Sequence, residues 1–274
     1  KLGLLEDAIE SYNKAISIKA DYPEVLYNLA NTFTDLDQFD EAKANYNKAI
    51  SLNASYFKAY NNLGFLLAKI KDLDGAIESF KKAIEIKKDY LEAHHNLGKA
   101  LRELGRLEEA IGSYNKAINI KADYSEVHND LGIALKEIGR PIEAMASFNK
   151  AIEIKQDYDS AYNNLGVTLE QLGKFEVSEK IYRKAIFINP NLAEAHNNLG
   201  IALKSLGQLS DARENFIKAI ELKPDYGNAH YNLTHLTEFQ TEDEHFTKMQ
   251  NLYLDENLSE KNLCFINFSL AKAY

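Results

Sequence analysis

FKAYNNLGFLLAKIKDLDGAIESFKKAIEIKKDY, residues 57–90, reads as two amphipathic helices joined by a tight turn. Tyr60, Leu63, Gly64 and Leu67 fall on one face of a helix, and Leu73, Ala76, Ile77, Phe80, Ala83 and Ile84 on one face of a second. Lys71-Asp72 supplies the turn between them. The small residues have a packing reason: Gly64 and Ala76 let the two helices approach closely, while Tyr60 and Phe80 fill the space around that contact.

Working outward from this stretch, the same pattern returns every 34 residues in both directions. Leu29-Ala30, Leu63-Gly64, Leu97-Gly98, Leu131-Gly132, Leu165-Gly166, Leu199-Gly200 and Leu233-Thr234 form one column. Ala8, Ala42, Ala76, Ala110, Ala144, Ser178 and Ala212 form another, and Tyr12, Tyr46, Phe80, Tyr114, Phe148, Tyr182 and Phe216 a third. A fourth, from Ala15 to Ala219, is alanine without exception. In four repeats a glycine (Gly105, Gly139, Gly173, Gly207) stands where the first helix must end. One hairpin cannot bury its own apolar faces, so neighbours must stack into a solenoid.

The bulk numbers agree and exclude several functions. The chain has 274 residues, 45% of them hydrophobic and 27% charged, with four prolines, which is the profile of a folded helical protein. A net charge of -9 argues against nucleic acid as a general partner, because phosphate binding needs a basic surface. Cys264 is the only cysteine, so neither a disulfide framework nor a thiolate metal site is expected, and an apolar helix around it points to a core position. The reading is of a cytoplasmic protein with no membrane span, no cofactor and no metal.

The Leu-Gly, Ala, aromatic and Ala columns, with Pro190 and Pro224 at the ends of second helices, resemble the tetratricopeptide repeat. The resemblance implies an all-α, right-handed superhelical solenoid of helix-turn-helix units. Residues 1–238 are expected to form the array: a partial first repeat, six full repeats over 23–226 and one further first helix. Lys1-Leu2-Gly3 aligns with the end of a first helix, so the chain is expected to begin in mid-repeat. Residues 239–274 read as carboxy-terminal helices, one opened by Thr241-Glu242-Asp243-Glu244 and one by Ser259-Glu260, forming a linker to a further domain. The segment from Asn228 through Tyr274 is similar to the one that joins repeats to a sulfotransferase domain in some bacterial proteins.

In tetratricopeptide proteins the first helix of each pair faces the concave side. Its sixth position here carries Asn28, Asn62, Asn96, Asp130, Asn164, Asn198 and Asn232. Asparagine is a poor residue inside a helix, so the column requires a cause. An amide offers a donor and an acceptor, which suits the backbone of an extended peptide. The column is similar to that of the repeat region of O-linked N-acetylglucosamine transferase, where it holds substrate chains. The other cause is hydrogen bonding within the solenoid. The ninth position adds Phe65, Ile133, Val167 and Ile201, an apolar run beside the ladder. No fifth position is lysine, which removes the terminal-carboxylate ligands that chaperone-binding members grip.

His94, His128, His196 and His230 share the fourth position, a packing site, and sit on separate helices, which argues against a metal. Lys14, Lys48, Lys82, Lys116, Lys150, Lys184 and Lys218 read as a solvated face, with Glu10, Glu78 and Glu214 four residues earlier as partners. The expected function is a non-catalytic scaffold that takes an extended segment of a protein in its groove. Two alternatives stay open: a substrate-recruiting arm of a larger transferase, and a scaffold that self-associates through its ends.

Overall fold

Each turn between paired helices needs one residue in the left-handed backbone region, where a Cβ is costly. Gly105, Gly139, Gly173 and Gly207 take it at φ 77°, 84°, 73° and 78°, and in two repeats Asp37 and Lys71 take it at φ 57° and 67°. The computed structural model describes residues 2–236, 244–255 and 257–273. All regular structure among them is helical.

The chain divides into two compact units, Lys1–Arg140 and Pro141–Tyr274. The first holds α1 (Leu2–Ile18), α2 (Pro23–Asp35), α3 (Phe39–Leu52), α4 (Phe57–Lys69), α5 (Leu73–Ile86), α6 (Leu91–Glu103), α7 (Leu107–Ile120) and α8 (Ser125–Glu137). The second holds α9 (Pro141–Ile154), α10 (Asp159–Gln171), α11 (Phe175–Ile188), α12 (Ala193–Ser205), α13 (Leu209–Leu222), α14 (Gly227–Thr234), α15 (Glu244–Tyr253) and α16 (Glu260–Ala273). In unit one every helix packs on the next in sequence; in unit two this holds from α9 to α14, after which α16 packs on both α14 and α15. Alternate first helices also touch, as α2, α4, α6 and α8 do in unit one and α10, α12 and α14 in unit two. At the amino end α1 runs unbroken through Gly3, where the repeat phase places a turn.

The periodic columns are the core. Ala42, Ala76, Ala110, Ala144, Ser178 and Ala212 are fully buried, as are Ala49, Ala83, Ala117, Ala151, Ala185 and Ala219. In four hairpins the sixteenth residue after the glycine lays its ring against it. A Cβ added at Gly64, Gly98, Gly166 or Gly200 would come within 2.7, 2.5, 2.5 and 2.5 Å of Phe80, Tyr114, Tyr182 and Phe216. These rings are themselves buried and cannot swing aside. From Tyr46 onward the column alternates between tyrosine and phenylalanine (Tyr46, Phe80, Tyr114, Phe148, Tyr182, Phe216), although Tyr12, one repeat earlier, does not follow the alternation. Two of the tyrosines use the hydroxyl: Tyr46 donates to Asn31 Oδ1 at 2.6 Å and Tyr182 to Glu170 Oε2 at 3.1 Å, whereas the buried Tyr114 hydroxyl makes no such bond among the described residues. Burial pushes the Tyr46 hydroxyl up to about 12 and raises the Glu170 carboxyl above the usual carboxylate range.

The regular pattern fails after α13. Thr234 occupies the glycine position, and its hydroxyl meets Met249 Sδ at 3.8 Å instead of a ring. Helix α15 buries Phe246 and Met249 against Ile266 and Leu270 of α16. Helix α16 packs directly on α14: Phe265 lies 5.6 Å from the fifth-position ring of Tyr231, and the backbone at Asn262 crowds Gly227. Ser259 opens α16, its Oγ accepting from Asn262 N at 3.3 Å. The expected cap at Thr241 lies outside the described residues. Cys264, expected in the core, is exposed.

The surface lysines also differ from expectation. Lys14 pairs with Glu10, but Lys82 and Lys218 turn toward Glu85 and Glu221, three residues later, instead of Glu78 and Glu214. These pairs are solvated and contribute little.

Lys71 holds the left-handed turn position that glycine fills elsewhere, and its Nζ makes only an exposed pair with Glu103. Lys71→Gly is therefore expected to stabilise the fold by about 0.5–1 kcal/mol. Urea unfolding checks this; an unchanged or lower midpoint would show that the turn is not strained.

Candidate peptide-binding surface

Within each unit, sixth-position side chains stand on neighbouring first helices, which brings Asn62, Asn96, Asp130, Asn198 and Asn232 within reach of the fifth position of the helix before. Asn62 Nδ2 donates to Tyr27 Oη at 3.0 Å and to Asn31 Oδ1 at 2.9 Å. Asn96 Nδ2 donates to Asn61 Oδ1 at 3.1 Å, and in unit two Asn198 reaches Asn163 and Asn232 reaches Asn197 at 3.1 and 2.9 Å. The amides therefore are not free, contrary to what a pure ligand ladder requires. Within a helix the fifth residue often closes the network: Asn61 and Asn197 donate to the Oδ1 of Asn62 and Asn198.

One rung departs from the amide pattern in a compensated way. Asp130 has no N–H to donate, and the fifth-position residue facing it is His95, whose Nε2 stands 2.8 Å from Asp130 Oδ2. A carboxylate replaces the amide and an imidazole replaces its acceptor, so the hydrogen bond survives with donor and acceptor exchanged. Asn28, the first of the column, is exposed, and Asn164 is half-buried.

Of the four ninth-position apolar residues, Phe65 is 52% exposed, whereas Ile133, Val167 and Ile201 are half-buried. Val167 and Ile201 pack on the core cluster around Tyr182, Leu199 and Phe216. The apolar run thus divides into three half-buried residues and one that faces solvent. Phe65 forms part of the wall of a hollow of about 410 Å³ spanning α2, α4 and α6, beside Asn62 and Asn96. Asn31, Thr34 and Asp35 of α2 also border it. The sequence alone does not single out Thr34 or Asp35, because their columns are variable, and it marks Asn31 only as the amide member of the Phe65 column.

The fourth-position histidines have a structural task. His94, His128, His196 and His230 are buried, and each places Nε2 2.8–3.0 Å from the carbonyl six residues earlier, tying the inter-repeat loop to the following helix. Desolvation pushes the His230 pKa below its ordinary value. Among the described residues no group of three His, Cys, Asp or Glu side chains could hold a metal ion, and no helix is long and apolar enough to cross a membrane.

Helical hairpins of fixed length, stacked so that first helices share one surface, define a helical-repeat protein. The TPR repeat model matches residues 1–37, 30–71, 69–101, 98–139 and 142–173, and tetratricopeptide repeat models match 159–192 and 193–226. The chain belongs to the tetratricopeptide repeat family. No curated relative matches the sequence. Among solved structures, MamA is 27% identical with a TM-score of 0.55, over 62% of this chain and 92% of that one. YrrB, described as a TPR protein with an unusual peptide-binding site, is 23% identical with a TM-score of 0.55, over 67% and 95%. A tetratricopeptide repeat protein from Parabacteroides merdae ATCC 43184 is 15% identical with a TM-score of 0.72, over 90% and 98%. The last two show the fold alone.

Asn198→Ala removes the donor to Asn163 and leaves the amide of buried Asn197 without its acceptor. Alanine is the better helix former, by about 0.5 kcal/mol, but an unsatisfied buried group costs about 1–3 kcal/mol. A net loss of about 1–2 kcal/mol in chemical denaturation is expected. A neutral or stabilised variant would return the column to a purely ligand-facing role.

Proposed function

We propose that the chain is a protein-interaction scaffold that holds an extended segment of a partner across the first helices, at the hollow beside Phe65. The observation that carries the proposal is Phe65 itself. A phenylalanine half open to water in the wall of a concavity is a hydrophobe that the stack does not use, and exposed apolar surface of this kind marks binding sites. Asn62 and Asn96 frame the same hollow. Their amides are already braced by neighbouring repeats, so they are rigid, pre-positioned groups that lose little freedom when a ligand arrives. Asn28, with its side chain exposed, is the amide of the column most open to a partner backbone. Ile133 in the first unit, and Val167 and Ile201 in the second, each expose only part of their side chains. YrrB, on a similar fold, is described as having a peptide-binding site, which is in keeping with peptide binding by a stack of this kind.

A phage library of random 12-residue peptides panned against the chain tests the proposal. Selected peptides are expected to bind the wild type and to lose about tenfold in affinity, roughly 1.4 kcal/mol, on Phe65→Ser. That exposed position can lose its ring without unfolding the protein, which circular dichroism verifies. Failure to select any binder, or binders indifferent to Phe65→Ser, would remove the hollow as the site.

A further inference from the structure

The hollow beside Phe65 has a chemistry of its own, and the identity of what fills it rests on the hollow being the peptide-binding site proposed for the chain. Two carboxylates line it, Asp35 from α2 on one wall and Glu92 from α6 on the other, and no lysine or arginine does. Both are exposed, and neither has an ion-pair partner among the described residues. Nearby carboxylates of the same unit are neutralised across repeats: Asp37 by Lys69 at 2.6 Å, Glu103 by Lys71 at 2.7 Å and Glu137 by Arg102 at 3.0 Å. Lys58 and Lys99, on α4 and α6, are exposed but do not line the hollow. The remaining wall groups add acceptors. Asn96 engages its Nδ2 with Asn61, while its Oδ1 takes no hydrogen bond among the described residues. Thr34 Oγ1 donates to the Ala30 carbonyl and lies 3.5 Å from the Tyr46 hydroxyl, so it offers at most one further lone pair. The exposed ring of Phe65 completes the wall.

We infer that this hollow receives an arginine side chain of the bound segment. Its aliphatic stem and the flat face of the guanidinium would cover Phe65, and its N–H groups would diverge toward Asp35, Glu92 and Asn96 Oδ1. A guanidinium offers five donors and no acceptor, which matches a wall dominated by acceptors. Acceptors on opposite walls favour its fork over the compact, strongly hydrated ammonium of lysine, and an exposed ring favours a planar cation that stacks. The volume of about 410 Å³ is ample for one long side chain and too small for a folded element.

The test uses N-acetyl-arginine amide and its neutral isostere N-acetyl-citrulline amide, each titrated into the full ¹⁵N-labelled chain. The arginine derivative is expected to shift the side-chain amide resonances of Asn62 and Asn96 saturably, with at least tenfold higher affinity than the citrulline derivative. In the Asp35→Asn/Glu92→Gln double variant that preference should fall below twofold, with the backbone spectrum otherwise unchanged. Equal shifts from the two probes, no shifts, or a preference that survives in the double variant would overturn the arginine assignment. Binding of selected 12-residue peptides with no such preference would leave the groove reading standing and remove only this one. A library that yields no binder would count against the groove reading separately.

Discussion

A hydrogen bond between side chains on adjacent first helices, repeated along each unit, is the constraint on which the binding surface depends. Asn62 to Tyr27 and Asn31, Asn96 to Asn61, His95 to Asp130, Asn198 to Asn163 and Asn232 to Asn197 are instances of one rung. Hydrophobic burial holds the helices together, but it is non-directional and tolerates sliding. A rung of about 3 Å between fixed positions does not. It sets the spacing of first helices, and with it the shape of the hollow between α2, α4 and α6. The polar surface of the first helices is thus a structural seam before it is a ligand surface.

The seam depends in turn on the hairpins beneath it. A glycine under a buried ring fixes how closely the two helices of a pair lie, and a single added methyl group would collide with that ring. Where the pairing changes, so does the geometry: with Thr234 in the glycine position, α15 meets α14 through Met249 and leaves a cavity of about 770 Å³ against α13. Ala30 stands in the first full repeat with Tyr46, so the glycine is a preference set by ring position and not an absolute requirement. The carboxy-terminal helices cover α14 differently: α16 puts Phe265 against Tyr231, at the fifth position that carries a rung elsewhere.

The fold is legible in the sequence because its signal is redundant: seven registers repeat the same small residues and the same ring, and no alternative structure satisfies a 34-residue period. The role of the asparagine column is only half legible. Its position and its unusual chemistry stand out in one column, but its partner lies in another, 35 residues earlier. The clue is present in the exchange at Asp130, where the loss of a donor at the sixth position coincides with histidine at the preceding fifth. Side-chain detail is not legible at all. Whether Lys82 turns to Glu78 or Glu85 depends on rotamers worth a few tenths of a kcal/mol. Cys264 reads as a core residue from its apolar neighbours, yet only one side of α16 is covered. Phe65 differs from Ile133, Val167 and Ile201 by nothing in the pattern; only the packing of each repeat separates the exposed ring from the half-buried aliphatics.

If the rungs hold the binding surface together, the reversed one should show it most clearly. A double-mutant cycle on His95→Ala and Asp130→Ala, read by urea unfolding, measures that bond with packing losses largely cancelled. The side chains are 11% and 20% exposed, so the pair is well shielded from solvent. A coupling energy of about 1–3 kcal/mol is expected, with each single variant more destabilised than an isolated cavity explains. Additivity within about 0.5 kcal/mol would mean that the contact carries no stability, and that the first helices are held in register by the apolar core alone.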